Sequence, residues 1–138
     1  MQDSNAEYKQ IRDLPLESIL SLYRSVQWSA ADKPEALKSA LKNSHSLVSA
    51  WQDEKLVGLA NAISDGFLVV YYPHLLVRPE YQGQGIGRRL MEILVAKYAE
   101  FHQQILVSDG KTIEFYRKCG FERAGQSESM WIYQGTEH

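Results

Sequence analysis

The spacing of hydrophobic positions changes period along the chain. After a short strand-like run at Tyr8 to Arg12, Leu16, Ile19, Leu20 and Tyr23 recur at the spacing of a helix buried on one side, with Asp13 placed to cap it. A second helix is predicted to begin near Asp32. There Asp32 and Glu35 have capping-box spacing, Pro34 falls in the first turn, and Ala36, Leu37, Ala40 and Leu41 form the apolar stripe. From Ser46 the period shortens to that of strands. Leu47 to Trp51 and Leu56 to Ile63 are joined by a polar Asp53-Glu54 turn, and Asp65-Gly66 begins a second hairpin from which Phe67 to Val77 returns as one long strand. Ile86, Leu90, Ile93, Leu94, Val95, Tyr98 and Phe101 then define a helix with enough apolar surface to cover a sheet. A short strand at Ile105 to Ser108, a last helix from about Thr112 to Lys118 that stops at Gly120, and a final strand at Met130 to Tyr133 complete the series. A strand, a crossover helix and a further strand imply local parallel pairing, so the expected architecture is a mixed sheet with helices on both faces.

The chain has 138 residues, 44% of them hydrophobic, which is enough for one core and too little for two domains. No repeat or linker divides it, so residues 1–138 are expected to form a single domain. Fifteen Lys and Arg against 17 Asp and Glu leave a formal charge of −2, which offers no positive field for nucleic acid. Cys119 has no partner for an internal disulfide, and the first residues, Met1 to Asn5, lack the basic and apolar regions of a signal peptide. The longest apolar stretch, Phe67 to Val77, is interrupted by Pro73 and His74 and is far shorter than the ~20 residues that span a bilayer. A soluble, cytoplasmic protein without nucleic-acid or membrane partners is the expectation.

The segment from Leu75 to Arg89 carries the chemistry. A strand leads through a turn into three alternating glycines, Gly83, Gly85 and Gly87, and then into a helix. Glycines there allow positive φ and close backbone approach, and the first helical turn presents unpaired N–H groups at the positive end of the helix dipole. Such a junction suits a phosphate or diphosphate, with Arg88 and Arg89 adding charge at its rim. It is not a dinucleotide fingerprint, because Arg88 stands where the third glycine belongs and Gln103 and Gln104 stand where the acidic residue belongs. Nor does Gly-Lys-Ser/Thr follow, as a nucleotide P-loop requires.

Gln82-x-x-Gly85-x-Gly87, directly after a strand ending Val77-x-Pro79, resembles the Gln/Arg-x-x-Gly-x-Gly/Ala signature of the GNAT N-acetyltransferase superfamily. Downstream, the stretch from Asp109 to Phe121, with Phe115-Tyr116 and Gly120-Phe121, reproduces that superfamily's Asn-x-x-Ala-x-x-Phe-Tyr-x-x-x-Gly-Phe frame, with Asp109 replacing Asn and Thr112 replacing Ala. The resemblance spans about Val48 to Phe121. It implies an α/β (α+β) fold with a mixed, mostly antiparallel sheet of six to seven strands flanked by about four helices. Residues 1–45 would supply acceptor-side helices and residues 46–138 an acetyl-CoA-binding core.

The activity it implies is transfer of an acetyl group from acetyl-CoA to a small-molecule or peptide amine by direct attack, without a metal. In this frame the backbone of Gly83, Gln84, Gly85, Ile86, Gly87 and Arg88 holds the CoA diphosphate beside Gln82. Leu75, Leu76 and Val77 pair with the pantetheine arm, and Asp109 occupies the position of a side-chain contact. One strand N–H would polarise the thioester carbonyl. Tyr116 would act as general acid on the departing thiolate. Tyr71 occupies the strand position at which several members carry a Glu or His base, which leaves a water chain, His74 or Asp65 for that role, the water chain ranking first. Read as residues alone, Asp109 is an N-cap, His74 a packing histidine and Cys119 a small hydrophobe. His45, His74, His102 and His138 lack metal-ligand spacing. Tyr23, Trp28, Asp32 and Glu35 lie in the acceptor-side region, and aromatic and acidic side chains suit a cationic amine. The resemblance also admits a homodimer. The competing reading is a domain of the same fold that binds acyl-CoA as a sensor or interaction module and transfers nothing.

Overall fold

Strands β2 (Ser46–Gln52) and β3 (Lys55–Ser64) form the spine of the computed structural model, which describes residues 5–136. Their turn is as tight as the sequence implies, with Asp53 and Glu54 both left-handed at φ 51° and 66°. Strand β1 (Glu7–Lys9) pairs with the free side of β2. The far side of β3 is shared by two short strands, β4 (Val69–Tyr71) and β5 (Leu75–Val77). Strand β6 (Gln103–Ile105) lies parallel to β4, and the other pairings are antiparallel. Helices α1 (Leu16–Ser25) and α2 (Pro34–Lys42) cover one face, α3 (Ile86–Lys97) covers the other, and α4 (Ile113–Lys118) follows β6. Six strands and four α-helices among the described residues match the expected class.

The alternation of β2 and β3 sends side chains into two cores. Val48, Ala50, Ala60 and Ala62 meet Ile86, Leu90, Met91 and Leu94 of α3, while Leu47 and Leu59 meet Ile19, Leu22, Leu37 and Leu41 of the first two helices. Helix α3 lies close because of Gly58. A Cβ there would stand 3.1 Å from Ile86 Cγ2 and 3.3 Å from Leu90 Cδ1. Gly58→Val is therefore expected to destabilise the protein by about 1–3 kcal/mol through overpacking, read as a lower urea midpoint at unchanged slope.

Several local expectations are corrected. Phe67 to Val77 is two strands, because the chain changes partners at Tyr72-Pro73-His74. β4 pairs with Ile63 and Ser64, β5 with Gly58 to Ala60, and buried Asn61 bridges the break. Its N–H donates to His74 O at 3.2 Å, and its Oδ1 accepts from the His74 N–H at 3.1 Å. Asp13 does not cap α1, because Leu14 and Pro15 intervene; it pairs with Lys38 at 3.2 Å, and Pro15 takes the cap position. Asp32 lies in a 3₁₀ turn, Ser29–Asp32, one residue too early for a capping box, and α2 starts at Pro34 without a side-chain cap. Helix α3 ends at Lys97, before Phe101, and β6 ends at Ile105, so residues 106–108 leave the sheet. The Asp109 side chain caps nothing, since the Thr112 N–H and hydroxyl both bond the Asp109 main-chain oxygen at 2.8 Å.

Met130 to Tyr133 is in no strand. That segment bends away, and Ser29 Oγ lies 3.3 Å from both the Tyr133 hydroxyl and the Thr136 N–H. Met1 to Ser4 and His138, read above from sequence, lie outside the described residues.

Candidate active site

The change of partners between β4 and β5 opens a gap in the sheet. Strand β6 follows β4 only, with Tyr72 N donating to Ile105 O at 3.1 Å, so among the described residues β5 has no strand on its outer side. The antiparallel pattern decides which groups face that gap. His74 O and Arg78 N bond β3, so by alternation Leu75 and Val77 direct their N–H and C=O groups away from it. Val77 O accepts from Gln82 Nε2 at 3.0 Å, which gives Gln82 a role in tying the following loop to the strand.

That loop holds the glycines. Gly83 and Gly85 are left-handed at φ 80° and 85°, and a Cβ at either would meet nothing within 4 Å. Gly85 takes the N-cap position of α3 without a side-chain cap. None of the main-chain N–H groups from Gly83 to Arg88 pairs with a described carbonyl. Six successive N–H donors without a main-chain partner among the described residues thus lie at this helix start, where the helix dipole favours an anion. Arg88 and Arg89 both lean on Glu92, at 3.8 and 3.6 Å, which offsets part of their charge at the rim.

Gly87 decides where α4 sits. A Cβ on it would stand 3.4 Å from Phe115 Cζ, so α4 docks against the first turn of α3. That distance is ordinary contact, and Gly87→Ala is expected to change the urea midpoint by less than the equivalent of about 1 kcal/mol, because a helical alanine offsets mild crowding.

Tyr116 follows Phe115 on α4. It is half-buried, with ring centroids 5.0 Å from Phe115 and 6.1 Å from Phe121 in edge contacts. Burial, and secondarily the Cys119 thiol, pushes its pKa up to about 12, so the phenol stays protonated throughout the neutral range. With Tyr71, Leu106, Ser108 and Ile113 it lines a cavity of about 760 Å³ beside β6.

Across the sheet, the Tyr23 hydroxyl lies 2.8 Å from His74 Nδ1, and Trp28 packs on both rings. Tyr23 is fully buried, which drives its pKa far above the ordinary phenol range. A phenol that stays protonated keeps its hydrogen, so the hydroxyl can donate to Nδ1 when the imidazole carries its proton on Nε2. Asp65 is also committed. Its Oδ1 accepts from the N–H groups of Leu68, Phe67 and Val69, which hold its pKa below the usual carboxylate value and make it a poor proton acceptor. Tyr71, Asp109, Asp32 and Glu35 are exposed. Sequence reasoning missed the Tyr23–His74 pair, the cavity beside β6 and the bridging role of Asn61. Only Asn61 left a signal, as a polar residue inside the apolar run Leu56 to Ile63.

Among the described residues no three His, Cys, Asp or Glu side chains cluster as metal ligands, and no helix is long and apolar enough to cross a membrane. The fold is similar to that of a GNAT-family acetyltransferase from Streptococcus pneumoniae TIGR4. The TM-score is 0.81 at 33% identity, over 94% of this chain and 98% of that one. An uncharacterized ycf52-like N-acetyltransferase of Prochlorococcus marinus is 29% identical over 133 residues, 90% of this chain and 73% of that protein. A chloroplastic GCN5-related N-acetyltransferase of Arabidopsis thaliana is 40% identical over 73 residues, of whose length this chain spans only 28%. A family model for the acetyltransferase (GNAT) domain matches residues 12–130, nearly the whole of the fold built around the gap and the glycine cradle. The chain belongs to the GNAT acetyltransferase family.

Proposed function

We propose that this chain transfers the acetyl group of acetyl-CoA to a primary amine by direct attack. One observation carries the reading: the unpaired N–H groups from Gly83 to Arg88 lie next to a strand edge whose Leu75 and Val77 groups face an open gap. A diphosphate suits the first, and an extended pantetheine arm suits the second as an added strand. The Leu75 N–H then faces the gap as a donor for the thioester carbonyl as charge develops on its oxygen.

Two protons must move. An alkyl ammonium with pKa near ~10.4 is about a thousandth neutral at pH 7, a deficit of roughly 4–5 kcal/mol that the site must offset. Tyr71 occupies the strand position of a base, Asp65 is bound to the hairpin backbone, and Nδ1 of His74 is occupied. A water chain to solvent is therefore the assigned route for the amine proton. At the other end, the N–H donors hold the cofactor in place and Tyr116 returns a proton to the leaving sulfur.

Calorimetric titration with acetyl-CoA, followed by thiol release with a panel of amines, tests this reading. Binding with turnover of at least one amine is expected. Binding with no turnover for any amine supports the sensor reading, and no heat at all removes both.

A further inference from the structure

We infer that helix α1 is a splint for β5, with Arg78 and Tyr23 as positioning residues that fix the strand edge offered to the pantetheine arm; the inference rests on the cofactor reading above. The alternation of β5 shows how the two elements are joined. Leu75 and Val77 belong to the core beneath α3, whereas Leu76 and the flanking His74 and Arg78 share the side that faces α1. Leu76 enters the core built by Ile19, Leu22 and Tyr23 of that helix. At one end of the strand the Tyr23 hydroxyl lies 2.8 Å from His74 Nδ1, and at the other Arg78 Nη2 donates to Ser21 Oγ at 2.7 Å. One helix thus grips both ends of a three-residue strand and packs on its middle.

The strand needs that grip. β5 pairs with Gly58 to Ala60 of β3, and among the described residues no strand lies beyond it. So short an edge, paired on one side, has few ladder bonds to set its place, and side chains must supply the rest.

Arg78 is the telling residue. It is 7% exposed and is the one charged side chain buried among the described residues. No carboxylate among them forms an ion pair with it. Its charge is held by donation alone, from Nε to Leu56 O at 2.7 Å and from Nη2 to Ser21. A guanidinium buried without a counter-charge is costly, and an apolar side chain of similar volume would fill the place at less cost. What the guanidinium adds is a rigid fork of donors that spans β3 and α1. A cavity of about 290 Å³ lies between α1 and the β2–β3 turn here, lined by Glu17, Ser18, Glu54 and Lys55 beside Arg78, so the fork rather than close packing sets the spacing. Release of either end lets β5 shift on β3 and misplaces the main-chain groups of Leu75 and Val77. The N–H groups from Gly83 to Arg88 belong to the start of α3 and stay in place.

Calorimetry with two probes separates this role from a plain loss of stability. One is acetyl-CoA; the other is 3′-phospho-ADP, the half of CoA that keeps the diphosphate and lacks the pantetheine arm. Arg78→Lys is expected to weaken acetyl-CoA about tenfold and 3′-phospho-ADP less than about twofold, because an ammonium does not reproduce the fork. Ser21 is exposed, so Ser21→Ala keeps the fold; it is expected to cost about threefold in acetyl-CoA affinity alone, and Ser21→Thr to restore it. Tyr23→Phe, acting at the other end, is expected to shift acetyl-CoA in the same direction. Unchanged acetyl-CoA affinity in both Arg78→Lys and Ser21→Ala overturns the inference, as does an equal loss for the two probes. No heat from either probe with the unmodified chain overturns the cofactor reading and the inference with it.

Discussion

Phenylalanine at position 116 is expected to lower kcat by about a hundredfold and to leave the KM for acetyl-CoA nearly unchanged. The substitution removes one hydroxyl and keeps the ring, so the edge contacts with Phe115 and Phe121 survive and α4 stays docked. A positioned general acid typically contributes about 10²–10⁴ in rate, and the lower end suits a thiolate, which leaves without full protonation. Affinity should persist because the proposed diphosphate contacts come from main-chain N–H groups on another element. The pH dependence follows from the environment of the phenol. Burial, then Cys119, raises its pKa to about 12, so Tyr116 should impose no descending limb on the rate profile up to about pH 10.

The sign for stability is the same. The neutral phenol is favoured in the folded state, and that contribution is complete below the unfolded value near 10 and is lost as pH rises through about 12. Steady-state kinetics with acetyl-CoA varied at saturating amine checks the prediction. Equal kcat for Tyr116→Phe removes this residue from the mechanism.

Valine at Gly85 is expected to weaken acetyl-CoA binding at least tenfold. Gly85 sits at φ 85°, where a residue with a Cβ pays about 1–2 kcal/mol and a β-branched one more. Because an added Cβ would meet nothing within 4 Å, no clash is relieved or created in the free protein. The strain must be released by rotating the peptide units on either side, which turns the N–H groups of Gly85 and Ile86 out of the cradle. Since each 1.4 kcal/mol is tenfold in affinity, the backbone term alone is enough for the expected loss. Calorimetry reads the affinity, a thermal melt shows that α3 and its core remain folded, and Gly87→Ala, with its helical φ and ordinary contact to Phe115, is the matched control. An unchanged Kd for Gly85→Val would show that these amides do not hold the diphosphate.

Much of this arrangement was legible in local patterns. The short apolar runs Leu47 to Trp51 and Leu56 to Ile63 mark strands, and the helical spacing from Ile86 to Leu94 marks the side of α3 that became part of one core. Gly83 and Gly85 marked left-handed positions before any fold was known, because a glycine in a strand-to-helix turn is there for its φ. The Phe115-Tyr116 pair and Gly120 placed the last helix and its end, and Gly120 is indeed left-handed at φ 100°.

What the amino-acid order settled alone is therefore the four helices, the hairpin of β2 and β3 and the glycine turn after β5, because each depends on residues within one or two turns of one another. The folded chain settled the pairing. The split of Phe67 to Val77 into β4 and β5 depends on Asn61 meeting His74, 13 residues away. The hydrogen bond at His74 Nδ1 depends on Tyr23, 51 residues away, and the course of the C-terminal segment on a contact between Ser29 and Tyr133 that spans 104 residues. Local periodicity records which side of an element is apolar. It carries no record of which distant donor or acceptor will satisfy a buried polar group, and that long-range matching shapes the gap, the proton inventory and the open edge.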